Sequence, residues 1–324
     1  MMHKIYVTRK IPQQGLDLLK RYAEVKIWEG ELPPPRDILR KEIREVDGIL
    51  TLLTDRIDKE ILGAAKNLKV IGNYAVGFDN IDIDEATRRG IVVTNTPGVL
   101  TETTADLAFA LMMAVGRNIV RGDRYVREGN WKTWEPMLLL GMDINEATLG
   151  IIGMGRIGQA LARRAFGFNM RILYYDEYNI QEAERSFNAK KVSLEELLQV
   201  SDYISIHAPL TPSTRNMIGS KEFSMMRKEA ILINTSRGLL VDEAALIEAL
   251  ERGTIAGAGL DVFQEEPIGK DHPLCRLPNV VLVPHIGSAS YHTRTKMALM
   301  AAGSIIETLT GKRPENIVNP EVLA

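Results

Sequence analysis

Several kinds of residue and segment are scarce in this 324-residue chain, and each scarcity argues against a class of protein. The single cysteine, Cys275, cannot form an internal disulfide, which fits a reducing cytoplasm. The longest apolar stretch, 107–115, is too short to span a membrane. The opening MMHKIYVTRK lacks the basic-then-apolar layout of a signal peptide. We therefore expect a cytoplasmic protein without a membrane segment.

The chain also has no large excess of either charge and few residues that typically bind metals. The formal net charge is −2, which gives no support to a role on nucleic acid or on a membrane surface. The five histidines and one cysteine are scattered along the chain, so we expect no metal site. The overall composition is that of a soluble globular protein. The length of the chain favours two domains.

Two blocks of alternating strand and helix patterns divide the chain. In the first, β-branched runs at 4–8, 25–28, 48–53, 69–76 and 91–96 enclose helical patterns at 13–22, 35–46, 58–66 and 83–89. A helical pattern at about 102–118 and a less regular stretch to about 146 follow. The alternation restarts at 147, includes helical patterns within 180–199 and continues to a strand at 279–283, before a final helix at about 290–310. Strand–helix–strand units at this spacing make right-handed crossovers and parallel sheets. The predicted fold class is α/β, with two Rossmann-like parallel-sheet domains.

A glycine-rich turn indicates what the second block binds. Gly153, Gly155 and Gly158 form G-x-G-x-x-G directly after an apolar strand and at the start of a helix, where a dinucleotide's phosphates bind. The next strand ends at Asp176, whose carboxylate can bind both ribose hydroxyls of NAD and would repel the 2′-phosphate of NADP. A tight turn with a surface aspartate, or an adenosylmethionine-dependent methyltransferase, would share the pattern.

The position of this turn sets the predicted domain boundaries. About 150 residues precede it, so the first block is a separate domain. We predict a flavodoxin-like substrate domain over 1–98, completed by 289–324, and a dinucleotide-binding domain over 99–288. The cleft between domains is the default place for a substrate.

Polar residues follow several strands of the second block, where parallel α/β sheets bind ligands. An arginine can bind a substrate carboxylate in a bidentate pair, and a histidine can pass a proton to an oxygen. A carboxylate can orient the imidazole and favour its protonated form. Arg237 could equally be a surface arginine at a strand exit, and the residues alone do not choose between His207 and His285, or between Glu265 and Glu266.

Five segments resemble the D-isomer-specific 2-hydroxyacid dehydrogenases, nearly end to end. They are NYAVGFDNID (73–82), GMGRIGQ (153–159), INTSRGLLVDEAAL (233–246), GAGLDVFQEEP (257–267) and PHIGSAS (284–290). The resemblance is greatest to the glyoxylate and hydroxypyruvate reductases of that family. It implies an NAD(H)-dependent oxidoreductase that reduces a small 2-oxo acid to its D-2-hydroxy acid.

The resemblance also implies roles for individual residues. Arg237 would bind the 2-oxo acid, His285 would be the acid/base, and Glu266 would pair with it. The backbone amides of Val76 and Gly77 would bind the substrate carboxylate. The chain would form a homodimer through the region 101–146. Two further residues would reach the substrate: Ser288, and Trp134 in the neighbouring subunit's pocket.

The implied cofactor site is larger than the glycine-rich turn. Within it, Asp261 and Thr104 would contact the nicotinamide end and Pro209 the adenosine end. The full implied set is Thr104, Gly153, Gly155, Arg156, Ile157, Gly158, Asp176, Pro209, Thr235, Asp261, His285 and Gly287. Asp176 departs from the Ser, Arg or Gly-Arg that suits NADP in some glyoxylate reductases, so NAD is favoured over NADP.

Two alternatives remain open on the sequence. A short D-3-phosphoglycerate dehydrogenase would share these motifs but would need basic residues for the substrate phosphate, and the sequence does not locate them. An NAD(H)-sensing corepressor on the same fold can retain the arginine, glutamate and histidine. The compact chain without a disordered tail argues against the corepressor.

Overall fold

The computed structural model describes residues 2–323. The chain forms two compact units: the first comprises the chain up to Leu100 together with the segment from Ser288 onward, and the second comprises Thr101–Gly287. Among the described residues, no helix is long and apolar enough to cross a membrane. What each unit binds stays a prediction at this point.

Strands and helices alternate along most of the chain. Within residues 2–323 the strands are β1 His3–Val7, β2 Ala23–Ile27, β3 Gly48–Thr51, β4 Val70–Asn73, β5 Val92–Thr94, β6 Thr148–Ile152, β7 Arg171–Tyr175, β8 Lys190–Lys191, β9 Tyr203–Ile206, β10 Ile231–Asn234, β11 Gly257–Leu260 and β12 Val280–Leu282. The α-helices are α1 Gln13–Lys20, α2 Arg36–Glu42, α3 Lys59–Ala64, α4 Ile83–Arg88, α5 Thr101–Gly116, α6 Ile119–Arg127, α7 Arg156–Phe166, α8 Gln181–Phe187, α9 Leu194–Val200, α10 Ser220–Met225, α11 Glu243–Glu251 and α12 Tyr291–Leu309.

The first unit is a five-stranded parallel sheet in the order β2-β1-β3-β4-β5. Alternating side chains of β1 explain its two hydrophobic layers, because neighbouring residues of a strand point to opposite faces. Ile5 and Val7 join the cluster formed with α1 and α12, whereas Tyr6 joins the cluster formed with α2, α3 and α4. This is the flavodoxin-like strand order, which places ligands at the carboxyl ends of β1 and β3.

The second unit is a seven-stranded parallel sheet in the order β12-β11-β10-β9-β6-β7-β8. Helices α5, α7 and α8 cover one face, where Leu149 and Ile151 are buried, and α9, α10 and α11 cover the other, where Ile152 is buried. The strand order reverses between β6 and β9, which is the position where Rossmann folds bind dinucleotides. The prediction of two parallel-sheet α/β domains is confirmed.

Three details of the secondary structure differ from the sequence prediction. The strand predicted to reach 76 ends at Asn73, since from Tyr74 onward the chain turns into a loop. Helix α6 lies in a stretch predicted to be irregular, and it buries none of its residues. The two-residue strand β8 lies within the region 180–199, where only helices are predicted.

Candidate active site

The glycine-rich turn of the second unit has the shape that a dinucleotide requires. Gly153 has φ +92°, and a Cβ there would lie 2.6 Å from the amide nitrogen of Ala208, so only glycine fits. A Cβ at Gly158 would lie 2.3 Å from the oxygen of Gly153, because helix α7 lies directly against the turn. Gly155, at the N-terminal end of this 11-residue helix, faces open space. The turn therefore offers the free helix end that binds phosphates.

Two residues near this turn also fit a nucleotide. Asp176 follows β7, and its Oδ2 accepts a hydrogen bond of 2.8 Å from the amide of Met154 while its Oδ1 accepts one of 3.1 Å from that of Tyr178. Thr235 follows β10, and its buried hydroxyl has no hydrogen-bond partner among the described residues. An orphaned buried hydroxyl at the carboxyl edge of the sheet is suited to a bound molecule that supplies the partner.

The other predicted cofactor residues lie at the same edge of the second unit. Arg156 is exposed in the first turn of α7, and Ile157 beside it is half-buried. Pro209 is exposed after β9, and its carbonyl accepts a hydrogen bond of 2.7 Å from Thr214. Thr104 is buried in α5, and its hydroxyl donates to the carbonyl of Gly287 at 3.2 Å.

Arg237 lies in a loop whose path is fixed by the strand before it. The side chain of Asn234, the last residue of β10, accepts from the amide of Ser236 at 3.0 Å and donates to the carbonyl of Arg237 at 2.9 Å. The hydroxyl of Ser236 donates to the carbonyl of Ala208 at 2.7 Å, which ties this loop to the one after β9. The Arg237 side chain is half-buried.

The arginine loop touches the loop that carries the glutamates. A Cβ on Gly238 would lie 1.9 Å from the carbonyl carbon of Phe263 and 2.5 Å from the amide nitrogen of Gln264, so the two backbones are in direct contact. The charge of Arg237 contributes to lowering the pKa of Glu266. Glu265, the alternative carboxylate, is exposed and is adjacent to Glu266 in sequence.

Glu266 and His285 form a hydrogen-bonded pair. Oε2 of Glu266 lies 2.7 Å from Nδ1 of His285, and each side chain is 27% exposed. Oε1 of Glu266 accepts a hydrogen bond of 3.0 Å from the amide of Phe263. Burial raises the pKa of Glu266, but His285, the Phe263 amide and Arg237 together outweigh it, so the pKa is lowered. Glu266 is therefore ionised at neutral pH and accepts the proton of Nδ1 as a hydrogen bond.

Asp261 holds the backbone that carries this histidine. Its side chain is buried, Oδ1 accepts from the amide of Ile286 at 2.6 Å, and Oδ2 accepts from that of Gly287 at 2.8 Å. Its carbonyl also accepts from the amide of His285, whose φ of +51° is unusual for a side chain with a Cβ. Burial raises the pKa of Asp261 to about 6. The carboxylate thus clamps the turn 285–287, and its predicted nicotinamide contact stays a prediction.

The second histidine has a different environment. Nε2 of His207 lies 2.8 Å from the hydroxyl of Ser205, and its backbone amide donates to Ile152 at 2.7 Å. Burial lowers the pKa of His207 to about 4. A histidine with that pKa is neutral near pH 7 and cannot serve as the proton donor there. Of these two histidines, only His285 pairs with a carboxylate among the described residues of the second unit.

The predicted substrate residues Val76, Gly77 and Ser288 belong to the first unit. Val76 and Gly77 are half-buried in the loop after β4, and Ser288 lies three residues before the first residue of α12. Trp134 lies in the second unit, in a segment without helix or strand, and is 77% exposed. No group of three or more His, Cys, Asp or Glu within residues 2–323 is placed to hold a metal ion.

Two structurally important residues have no place in the sequence prediction. Asn234 fixes the arginine loop, and an asparagine at a strand end is a known turn signal that could have identified it. Ser205 pairs with His207, but a serine inside an apolar strand gives no signal of that partner.

Comparison with known proteins gives one consistent family. Residues 109–287 match the family described as D-isomer specific 2-hydroxyacid dehydrogenase, NAD binding domain. A protein named glyoxylate reductase from Korarchaeum cryptofilum is 53% identical over 324 residues, which cover 100% of this chain and 98% of that protein. A second glyoxylate reductase, from Thermococcus litoralis, is also 53% identical, over 327 residues that cover 100% of this chain and 98% of its own.

Solved structures agree with this result. The structure of an NADPH-dependent glyoxylate/hydroxypyruvate reductase from Sinorhizobium meliloti, in complex with NADP and malonate, has a TM-score of 0.87 and 32% identity. The match covers 99% of this chain and 98% of that one. Similarity therefore extends over both units of the chain.

Proposed function

This chain belongs to the D-isomer-specific 2-hydroxyacid dehydrogenases, and on that premise we propose that it reduces glyoxylate and hydroxypyruvate to the corresponding 2-hydroxy acids with NADH. It is an oxidoreductase with an NAD-binding domain. The choice of substrate is supported by the relatives named glyoxylate reductase, which are about half identical to it over its whole length. The hydrogen-bonded pair of His285 and Glu266, with Arg237 close enough to influence it, carries the proposed chemistry.

His285 is the proposed acid in reduction. Hydride addition to the carbonyl carbon leaves negative charge on the oxygen, which must receive a proton. Nδ1 of His285 is held by Glu266, so Nε2 is the ring atom that gives the proton in reduction and takes it back in oxidation. The ionised Glu266 stabilises the protonated ring and fixes its orientation. His207 is excluded from this role near neutral pH by its lowered pKa.

Arg237 is the proposed anchor for the 2-oxo acid. Its guanidinium stays charged at any working pH, so it stabilises negative charge but cannot donate the proton. The planar fork can hold a substrate carboxylate in two parallel hydrogen bonds. In the first unit, we assign the amides of Val76 and Gly77 to binding a substrate carboxylate, and Ser288 to lining a substrate site. The first unit is then the substrate domain and the second the dinucleotide domain.

The second unit is suited to NAD. When bound, the nicotinamide supplies the hydride in reduction and accepts it in oxidation. Gly155 leaves space for the phosphates at the start of α7, and Thr235 has a buried hydroxyl without a partner. Asp176, anchored by two backbone amides, keeps a carboxylate where a 2′-phosphate would have to bind, which favours NAD over NADP.

A homodimer is the proposed assembly, in a cytoplasmic protein. Large apolar side chains are exposed on α6 and on the segment after it, and α6 itself buries nothing within its own chain. They are Ile119, Val120, Val126, Trp131, Trp134, Met137 and Leu140. So many large exposed apolar side chains in one segment are typical of a protein–protein interface. Trp134 would extend from it toward the neighbouring subunit's substrate site. Light scattering of the wild type against Val126→Glu tests this assembly, since a charge there should yield monomers.

One panel of assays tests the reaction. The purified chain is given glyoxylate, hydroxypyruvate, 3-phosphohydroxypyruvate or pyruvate, each with NADH and with NADPH. We expect kcat/KM to be highest for glyoxylate or hydroxypyruvate with NADH. A clear preference for 3-phosphohydroxypyruvate would replace the proposal by a phosphoglycerate dehydrogenase, and no turnover on any of the four would end it.

A further inference from the structure

The loop that follows β4 in the first unit has its carbonyl groups held by side chains of the same unit. The carbonyl of Val76 accepts a hydrogen bond of 2.8 Å from Nδ2 of Asn95. The carbonyl of Gly77 accepts one of 2.8 Å from Nδ2 of Asn73. Both donors are side-chain amides at the carboxyl end of a strand, Asn73 ending β4 and Asn95 directly following β5.

The amide groups of the same loop are left available. The carbonyl of Ala75 accepts from the amide of Thr96 at 2.8 Å, so three consecutive carbonyls are occupied. In residues 2–323, no hydrogen bond uses the amide N–H of Val76 or Gly77. Because the peptide is planar and trans, a carbonyl and the next amide point in opposite directions. Holding the Val76 oxygen therefore sets the direction of the Gly77 N–H.

Asn73 is itself fixed from several sides. It is fully buried, and its Oδ1 accepts a hydrogen bond of 3.1 Å from the hydroxyl of Thr51. Its Nδ2 also lies 3.3 Å from Oδ1 of Asn80, whose own amide donates to the carbonyls of Leu52 at 3.1 Å and Asp55 at 3.0 Å. The network spans the ends of β3 and β4. The side chain of Asn73 therefore cannot rotate without breaking buried hydrogen bonds.

Asn95 is held in place by Asn316. Its backbone amide donates to the carbonyl of Asn316 at 3.3 Å, and its carbonyl accepts from the side chain of Asn316. The other side-chain atom of Asn316, Oδ1, accepts a hydrogen bond of 2.7 Å from Ser304 in α12. The donor that faces Val76 is therefore tied, through Asn316, to the long helix of the same unit.

We propose that Asn73 and Asn95 are positioning residues, which hold the loop 76–77 so that the amide of Gly77 points at the substrate carboxylate. The inference rests on the proposed function, since it takes these amides to be the carboxylate site. Fixed amide dipoles bind an anion without the cost of reorienting on binding. Asn95 acts directly on the peptide that carries the Gly77 N–H, and Asn73 fixes the peptide that leaves Gly77. Neither side chain need touch the substrate.

The test is Asn95→Asp, which keeps the size of the side chain and replaces the donor by an oxygen facing the Val76 carbonyl. We expect KM for glyoxylate to rise by about 10-fold or more, equivalent to about 1.4 kcal/mol. We expect kcat to stay within about 3-fold, because the carboxylate is held alike in ground and transition states. The Ki of the carboxylate inhibitor oxamate should rise in parallel, with NADH affinity, measured by fluorescence, unchanged.

Asn319→Asp is the matched control in the same unit. Asn319 is fully buried, donates at 2.9 Å to both Thr87 and Ile91, and accepts from the amide of Val93 at 2.8 Å. It makes no hydrogen bond to the loop 74–80 in the described part of the chain. The control should lose stability and keep its KM, which separates positioning from general damage.

Asn73→Asp is the second variant and should shift KM and Ki in the same direction. If this buried substitution prevents folding, Asn95→Asp alone decides. Unchanged KM and Ki in folded Asn95→Asp would overturn the inference, as would an equal KM shift in the control. A wild type that reduces none of the 2-oxo acids would instead overturn the proposed function, so the two failures are distinguishable.

Discussion

Both carboxylate oxygens of Glu266 are engaged, Oε2 by Nδ1 of His285 at 2.7 Å and Oε1 by the amide of Phe263 at 3.0 Å. A carboxylate held on both sides cannot swing away when the histidine changes its charge. For the proposed mechanism, this means that Glu266 stays beside His285 throughout the reaction cycle, so the pair can be tested through the pH dependence of the reaction.

Glu266→Gln should shift the pH dependence of the reaction. A neutral amide no longer favours the protonated ring, so the alkaline fall of kcat/KM for reduction should move to lower pH. Oxidation of the hydroxy acid needs the neutral ring and should show the opposite trend. The measurement is kcat/KM against pH in both directions. A profile that coincides with that of the wild type would show that Glu266 does not influence the proton donor.

His285→Asn should then abolish most turnover while the protein still binds NADH. The comparison variant is His207→Asn, which should keep the alkaline fall of the wild type because its imidazole does not supply the proton. If the fall disappeared with His207 and survived with His285, the assignment of the acid would be reversed.

His207 should affect stability rather than the chemistry. Burial lowers its pKa from 6.5 to about 4, so below pH 6.5 the unfolded chain takes up a proton that the folded chain does not. Stability contributed by the neutral ring is therefore full above 6.5 and is lost as pH falls toward 4. His207→Asn should lose less unfolding free energy between pH 7 and pH 5, by on the order of 1 kcal/mol. Urea denaturation at both pH values measures this; equal losses would contradict it.

Arg237→Lys should lower kcat/KM for the 2-oxo acid by more than about 10-fold, equivalent to about 1.4 kcal/mol. Lysine keeps the charge but loses the planar fork that matches a carboxylate. NADH affinity should barely change. Arg252→Lys is the control, since Arg252 is a surface residue paired with Glu248 at 2.9 Å. Near wild-type turnover in Arg237→Lys would return Arg237 to the role of a surface arginine.

Asp176→Ser should narrow the preference for NADH over NADPH. The substitution removes the negative charge next to the glycine-rich turn, so a 2′-phosphate would no longer be repelled. The ratio of kcat/KM for the two cofactors measures the effect. Glu177→Ser, an exposed neighbour, should change the ratio less. Equal kcat/KM for the two cofactors in the wild type would rule out Asp176 as the selector.

The alternation of strands and helices could be predicted because buried parallel strands leave a strong apolar pattern. The end of β4 could not be predicted, because the residues directly after Asn73 are still apolar. The turn is visible only in the structure, where the side chain of Asn73 donates a hydrogen bond to the carbonyl of Gly77. Helix α6 was not predicted for a different reason. Its sequence, IVRGDRYVR, combines three β-branched residues with a glycine, which weakens the helical signal, and the helix buries none of its residues.

The candidate site also contains residues that could be predicted from the sequence and residues that could not. The glycine-rich turn and Asp176 could be predicted from the residues themselves, because their signal is local spacing. The choice of His285 over His207 depends on a contact between residues 19 apart in sequence, Glu266 and His285, and on the burial of His207. Neither distance nor burial is visible in a one-dimensional pattern, and only the resemblance to a family favoured His285.

The contact at Gly238 has a consequence for anyone who would redesign this enzyme. With the Phe263 carbonyl carbon 1.9 Å from where a Cβ would lie, the arginine and glutamate loops cannot be altered independently at this point. A larger residue at 238 would displace together the loop of Arg237, the proposed substrate anchor, and the loop of Glu266, the proposed partner of the acid. New specificity must therefore be introduced by exchanging side chains on an unchanged backbone, and a library that varies position 238 would consist largely of inactive members.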